Sequence, residues 1–105
     1  MRILFDENVP APLRQFFPDD QVATVQQLGW SGIENGELVS RAEVEFDVLI
    51  LADKNLRHQQ NLAGRGLALV ELPTNRWPVL EPLGVQVAAA VHGAGAGSYV
   101  IVQGR

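Results

Sequence analysis

The chain has 105 residues, of which 47% are hydrophobic and 19% are charged, and its formal net charge is −4. This length and composition fit one globular domain with its own core rather than a disordered chain. The absence of cysteine excludes disulfides and cysteine-ligated zinc. No apolar run approaches the roughly 20 residues that span a bilayer, and the N-terminus lacks a signal-peptide layout. We therefore expect a soluble, cytoplasmic protein that does not enter a membrane.

The first ten residues predict a short buried strand that ends in a polar turn. The strand is Arg2-Ile3-Leu4-Phe5, and the turn begins with Asp6-Glu7-Asn8 and continues to Pro10 and Pro12. Asp6 is therefore expected at the carboxyl end of a strand. The two prolines are tolerated in the first turn of a short helix, which we place within residues 10–17.

The middle of the chain predicts two further strands and two helices. The second strand is expected over 21–28, an amphipathic helix over 35–46 and a polar helix over 54–62. Between these helices, Val48-Leu49-Ile50-Leu51-Ala52 is wholly apolar, as is typical of a central strand covered on both faces. It ends on Asp53, just as the first strand ends on Asp6.

The last part predicts a fourth strand over 67–72, a helix over 79–92, a glycine-rich connection and a final strand over 98–103. Alternating strands and helices favour an α/β fold, a three-layer α/β/α domain with a mainly parallel central sheet. Residues 1–105 are read as a single domain, in which 81–105 supply the last helix, the connection and the final strand.

Acidic residues are the strongest functional signal. In parallel sheets ligands bind outside the carboxyl ends of the strands, so Asp6 and Asp53 are expected to converge there. A third acid is expected from Glu34 or Glu37, near the start of the second helix. Carboxylates gathered without His or Cys suit a hard divalent cation such as Mg²⁺ or Mn²⁺. Such an ion would also relieve the repulsion between Asp6 and Glu7.

Each of these acids also has a structural alternative. Asp53 is placed to cap the helix that follows it. Glu34 completes a Ser31-x-x-Glu34 capping box, which we favour over a functional role for that residue. Glu37 complements the dipole of its helix, and for this residue the two interpretations are equal.

Three segments resemble, in order and spacing, the PIN-like nucleases of bacterial toxin–antitoxin loci. They are Ile3-Leu4-Phe5-Asp6-Glu7-Asn8-Val9, Gly32-Ile33-Glu34-Asn35-Gly36-Glu37-Leu38 and Val48-Leu49-Ile50-Leu51-Ala52-Asp53-Lys54-Asn55-Leu56. The resemblance covers roughly residues 1–80 and implies a PIN-like α/β/α fold. It also implies metal-dependent cleavage of RNA by activated water, and inhibition by a cognate antitoxin protein.

Position by position, the resemblance puts Asp6 and Asp53 on the family's metal-binding and catalytic acids, with Glu37 as the third. Glu7, Asn8, Asn35 and Asn55 are candidates for the surrounding shell. Asn35 and Asn55 stand where relatives often have acids, and asparagine brings a carbonyl ligand without charge. This departure motivates an alternative function, a catalytically weak domain of the same fold that binds RNA or protein.

Basic residues cluster after the acidic half of the chain. Residues 6–53 contain ten acids and two arginines, a balance of −8, whereas 54–76 have a balance of +3. Two solvated faces would explain this asymmetry equally well. In the functional interpretation Lys54, Arg57 and Arg76 contact RNA phosphates. Trp77 is a candidate for base stacking, although packing under a loop is the favoured interpretation for it.

Two further possibilities concern a different activity and self-association. Acids after the first and third strands also suit a phosphoacceptor receiver, but receivers need a lysine after a later strand, and none follows the fourth or fifth strand. The exposed edge of the final strand is a pairing hazard that proteins usually cover, which predicts a homodimer.

Overall fold

The computed structural model describes residues 1–52 and 65–104, which form one α/β domain with a five-stranded, all-parallel sheet. The order across the sheet is β2-β1-β3-β4-β5. The strands are β1 Arg2–Phe5, β2 Gln21–Thr24, β3 Val48–Leu51, β4 Ala68–Glu71 and β5 Tyr99–Ile101. The described helices are α1 Asn35–Glu45, α2 Trp77–Leu80, α3 Gly84–Gly93 and the 3-10 helices Ala11–Phe16 and Glu81–Leu83. The predicted helix over 54–62 lies outside the described residues.

Two hydrophobic clusters pack on opposite faces of the sheet, which confirms the predicted α/β/α layering. Alternate strand residues such as Leu4, Leu49 and Leu69 pack against α1. Their neighbours, such as Ile3 and Ile50, pack against the 3-10 helix Ala11–Phe16, α2 and α3. All four residues of β3 are buried, as expected of a central strand. No helix in the described ranges has both the length and the apolar character needed to cross a membrane.

The connection from β4 to β5 has an unusual hand. The connections β2–β3 and β4–β5 both advance in the same direction across the sheet, yet α1 and α3 lie on opposite faces. These two connections therefore have opposite hands. The β1–β2 connection runs in the reverse direction on the α3 face, so it has the same hand as β2–β3. Since nearly all such connections are right-handed, the β4–β5 connection is the exception.

The second strand is shorter than predicted. β2 ends at Thr24, and the expectation of a strand through Leu28 is wrong. Thr24 and Gln27 exchange two hydrogen bonds: the Thr24 amide donates to Gln27 Oε1 at 3.0 Å, and the Gln27 amide donates to Thr24 Oγ1 at 3.1 Å. The Leu28 amide also donates to the Thr24 carbonyl at 3.2 Å. These bonds close a turn where the apolar pattern predicted an extended chain.

The predicted helix over 79–92 is divided into three pieces. α2 is followed by the 3-10 helix Glu81–Leu83 and then by α3. Pro82 has no amide hydrogen to donate to the preceding turn, which explains the break. Val87 and Val91 face inward and are 0% exposed, and Ala88 is partly buried beside them.

A polar contact holds the end of α3 against the turn that precedes β2. His92 Nε2 lies 2.7 Å from Asp20 Oδ2, and the N-terminal ammonium lies 3.5 Å from Asp20 Oδ1. The hydrogen bond from His92 and the positive charges beside it hold the pKa of Asp20 below its usual range. The edge of the Phe17 ring also meets the His92 ring, with 5.8 Å between centroids.

We expect the Asp20 contact to stabilise the protein above the carboxyl's unfolded pKa, near 3.8. Because the folded-state pKa is lower, this contribution is lost as the pH falls through that folded value. In Asp20→Asn, the free energy of unfolding should therefore depend less on acid pH than in the wild type. Urea unfolding across the acid range measures this, with the exposed neighbour variant Asp19→Asn as control. Parallel profiles for wild type and Asp20→Asn would contradict the prediction.

Gly84 allows α3 to approach the 3-10 helix Ala11–Phe16, because a Cβ at this position would overlap the Phe16 ring. We expect Gly84→Ala to destabilise the fold by about 1–3 kcal/mol, as in other overpacked sites. Gly93→Ala is the matched control, since a Cβ there meets nothing within 4 Å. Urea midpoints at constant slope measure both variants. Equal stability of the two would show that Phe16 moves aside freely.

Candidate functional site

The candidate site lies at the carboxyl ends of β1 and β3. The Asp6 amide donates to the Ile50 carbonyl at 3.0 Å, so Asp6 continues the ladder between these strands. It stands one residue beyond the Phe5–Ile50 pair, level with Leu51. Its side chain is on the α1 side of the sheet, because Leu4, two residues earlier, packs on that face. Asp6 is partly exposed.

The second predicted acid follows β3 directly in the chain. Ala52 is the last residue before Asp53, and β3 runs parallel to β1 at this edge. Asp53, together with Lys54, Asn55 and Arg57, lies outside the described residues. The strand order places a topological switch point here: β2 is added on one side of β1 and β3 on the other, so the connections that follow β1 and β3 leave this edge in opposite directions. Crevices at such switch points are the usual ligand sites of open parallel sheets.

Glu7 secures the neighbouring loop. Its carboxylate accepts a hydrogen bond from the Gly32 amide, and its backbone carbonyl accepts one from Gln26 Nε2 at 3.1 Å. Glu7 and Asn8 are both exposed. Gly32 has φ +82°, a left-handed conformation that glycine adopts without strain. Glu7 therefore acts as an anchor for the loop that leads into α1.

Glu37 lies at the same edge as Asp6, but its carboxylate is paired with an arginine. α1 starts at the carboxyl edge because it must return the chain to the opposite edge, where β3 begins at Val48. Glu37 occupies the first turn of this helix, where it complements the dipole, and it forms an ion pair with Arg41 at 2.8 Å. Asn35, the first residue of α1, is partly buried.

The predicted capping box at Glu34 is wrong. Glu34 is itself the N-cap residue of α1, and no side-chain hydrogen bond caps the helix. Ser31 consequently stands three residues before the cap rather than at it. The side-chain contact observed in the loop before the helix is instead the bond from the Gly32 amide to the Glu7 carboxylate.

Of the three basic residues predicted to contact RNA, Arg76 is the one in the described ranges. It is exposed and lies on the loop after β4, where Thr74 Oγ1 accepts a bond from the Arg76 amide at 3.1 Å. Trp77 packs against Phe16, with 6.4 Å between ring centroids, and joins the core on the α3 face. Trp77 therefore packs, as expected, but at the start of α2 and against the Phe16 ring.

Glu71 is a buried acid at this edge that the sequence interpretation did not select. It is the last residue of β4, stands opposite Leu51 and is 1% exposed. Tyr99 Oη donates a hydrogen bond to Glu71 Oε1 at 2.8 Å. An acid at the end of the otherwise apolar run Leu67–Leu72 was the available signal.

The donor chemistry of the predicted ligands fits a hard divalent cation. Asp6, Asp53 and Glu37 would supply carboxylate oxygens, and Asn35 and Asn55, candidates for the surrounding shell, would bring amide carbonyls; Mg²⁺ and Mn²⁺ accept both types of oxygen. Within residues 1–52 and 65–104, no three His, Cys, Asp or Glu side chains are arranged to hold a metal ion. The metal set that includes Asp53 stays a prediction.

The Glu7–Gly32 contact leads to a test of loop anchoring. Glu7→Ala is expected to speed hydrogen exchange of the Gly32 amide by about tenfold, since a charged acceptor is removed. Glu7→Gln is the control, because its amide oxygen can accept the same bond. Hydrogen exchange followed by NMR measures both. Equal protection in wild type and Glu7→Ala would mean that other contacts hold the loop.

Comparison with known proteins gives no relative to set beside this geometry. No protein-family model, curated protein or solved structure matches the chain. The resemblance to PIN-like nucleases therefore continues to rest on the three sequence segments that carry it.

Proposed function

We propose that the protein is a divalent-metal-dependent ribonuclease of the PIN-like type, the toxin of a toxin–antitoxin pair. The observation that carries the proposal is the position of Asp6. It stands at the carboxyl end of β1, beside the end of β3 that leads into Asp53, at the switch point of a parallel sheet. The sequence resemblance supplies the activity that is proposed for this place, together with the cognate antitoxin as partner.

In this proposal Asp6 and Asp53 hold Mg²⁺ or Mn²⁺, with Glu37 as the third ligand. Such an ion, when bound, polarises a phosphoryl oxygen and lowers the pKa of a coordinated water. The chain's own residues orient the site: the Asp6 backbone is held by the β1–β3 ladder, and Glu7 secures the loop before α1. Arg76, exposed on the loop after β4, is available to a phosphate of the RNA.

The second candidate function is a binding domain of the same fold with little or no catalysis. The Glu37–Arg41 ion pair favours it, because Glu37 must leave this partner to serve as a ligand. Asn35 and Asn55 favour it as well, since they bring no charge where relatives often have acids. This alternative predicts that RNA or a protein partner binds while Asp6 is dispensable.

A phosphoacceptor function also gains one observation, since receivers share the strand order 2-1-3-4-5. The chain's only lysine, Lys54, directly follows Asp53 instead of a later strand. Incubation with a small phosphodonor distinguishes this function, because a receiver would acquire an acid-labile phosphoryl group on Asp53.

The decisive experiment is cleavage of labelled single-stranded RNA by the purified protein with Mg²⁺, Mn²⁺ or EDTA. We expect cleavage that requires metal, and a loss of at least about 100-fold in Asp6→Asn or Asp53→Asn, since even residues behind a metal ligand matter by 10–100-fold. Glu37→Gln should cost less if the Arg41 pair persists in the active protein.

The matched control is Asp19→Asn, which removes an exposed carboxylate from the turn before β2, at the opposite edge of the sheet. Thermal unfolding confirms that each variant is folded. Folded wild type that is inert in every metal would reject the nuclease function. RNA binding that survives in Asp6→Asn would then support the binding domain.

A further inference from the structure

Two aromatic rings on the α1 side of the domain each have an arginine over them. The Arg41 guanidinium lies 5.8 Å from the centre of the Trp30 ring, and the Arg2 guanidinium lies 5.7 Å from that of Phe46. The two rings meet edge to face, with 6.4 Å between centroids and 85° between planes. We call Arg41, Trp30, Phe46 and Arg2 the arginine–aromatic strip.

The strip is accessible from solvent. Trp30 and Phe46 are partly exposed, Arg2 is exposed, and the Arg41 side chain is 46% exposed. An open groove of about 240 Å³ adjoins Phe46 and Arg2. The remaining residues that line it are Gln21, Val22, Ala23, Leu28 and Glu45.

Backbone contacts connect one end of the strip to the proposed active site. Trp30 donates its amide to the Val25 carbonyl at 2.8 Å, and Val25 donates to the Phe5 carbonyl at 3.0 Å. Gly32, two residues after Trp30, is held by Glu7. Trp30 therefore lies on the loop that is fastened to the Asp6–Glu7 turn.

The other end of the strip is fastened at the amino edge of the sheet. The Arg2 amide donates to Asp47 Oδ2 at 2.8 Å, which ties the start of β1 to the residue after Phe46. Four strand residues separate the two edges, a length of roughly 13 Å. The strip therefore runs along the α1 side from the amino edge toward the proposed active site.

We propose that the arginine–aromatic strip binds unpaired bases of single-stranded RNA and leads the strand to the Asp6 edge. This inference rests on the proposed function and names its substrate as unpaired RNA. Unpaired bases stack on aromatic rings and on guanidinium planes, whereas bases within a duplex are already stacked on one another. The groove beside Phe46 offers room for a base next to the ring.

The net charge of the strip predicts how RNA binding will depend on salt. Glu37 pairs with Arg41, and the carboxylates of Glu45 and Asp47 lie near Arg2, so the strip has no net positive charge. Stacking therefore supplies most of the affinity. The dependence on salt is expected to be shallow, in contrast with proteins that bind through many phosphate contacts.

The probe is the intrinsic fluorescence of Trp30. The chain has two tryptophans, so Trp77→Phe leaves Trp30 as the reporter. A single-stranded RNA of about ten nucleotides, within the site sizes of stacking proteins, is titrated in EDTA to prevent cleavage. We expect Trp30 quenching by the single strand and little by the duplex of the same sequence. The affinity of Trp77→Phe for labelled RNA should equal that of the wild type.

Anisotropy of labelled RNA tests the individual residues. Trp30→Leu should weaken binding by about 5- to 150-fold, the loss of one stacked base, while Trp30→Phe should keep most of the affinity. Arg41→Gln, a surface change, should also weaken binding, and its control is Arg14→Gln, which changes an exposed arginine of the 3-10 helix Ala11–Phe16 on the other face of the sheet. Arg41→Gln keeps the proposal testable if Trp30→Leu fails to fold.

The outcomes separate this inference from the proposed function. Suppose that the protein cleaves RNA, that RNA does not quench Trp30 and that Arg41→Gln binds RNA as tightly as the wild type. This outcome overturns the strip proposal but not the nuclease function. Quenching without metal-dependent cleavage supports the strip and overturns the nuclease. Equal affinity for duplex and single strand overturns the strip. The strip proposal is also overturned if no RNA binds. A protein partner would then be the alternative occupant, since tryptophan and arginine are also enriched in protein–protein contacts.

Discussion

The parallel pairing of β1 with strands on both sides is the interaction on which the rest of the domain depends. On the β2 side, the Gln21 amide donates to the Met1 carbonyl and the Val25 amide donates to the Phe5 carbonyl. On the β3 side, the Asp6 amide donates to the Ile50 carbonyl. Residues 3–5 are 0% exposed, because hydrophobic clusters cover both faces of this central part of the sheet. A strand held on both sides ends at a defined place, so the position of Asp6 follows from backbone hydrogen bonds rather than from a flexible loop. The same ladder sets the end of β3, from which Asp53 continues.

The carboxylates around this edge of the sheet make different contacts. Glu7 bonds the Gly32 amide, Glu37 pairs with Arg41, and buried Glu71 accepts a bond from Tyr99. A buried carboxylate without such partners would be costly, and exposed neighbours would repel one another. These contacts reduce the demand for a cation at three of the carboxylates.

The two faces of the sheet differ in what they offer a ligand. On the α3 face, Gly84 lets α3 approach Phe16, and His92 contacts both Asp20 and Phe17, so α3 packs against the segment that follows β1. On the α1 face the rings of Trp30 and Phe46 stay partly exposed beneath their arginines. Both faces have a hydrophobic cluster, but the accessible rings that the proposed strip requires lie on the α1 face.

The sequence by itself determined the elements whose pattern is local and strong. The apolar runs of β1 and β3, the amphipathic period of α1 and the acid at the end of β1 all agree with the structure. Other features depend on specific side-chain contacts that the apolar pattern does not show. Thr24 and Gln27 exchange hydrogen bonds across a turn that follows β2, and Tyr99 meets Glu71 across 28 positions. The hydrophobic periodicity of a helix shows which of its residues are apolar, but not which face of the sheet the helix will cover. Only the tertiary structure, through side-chain packing and contacts between separate segments, decided the face of α3, the start of α1 at Asn35 and the meeting of Trp30, Phe46 and their arginines.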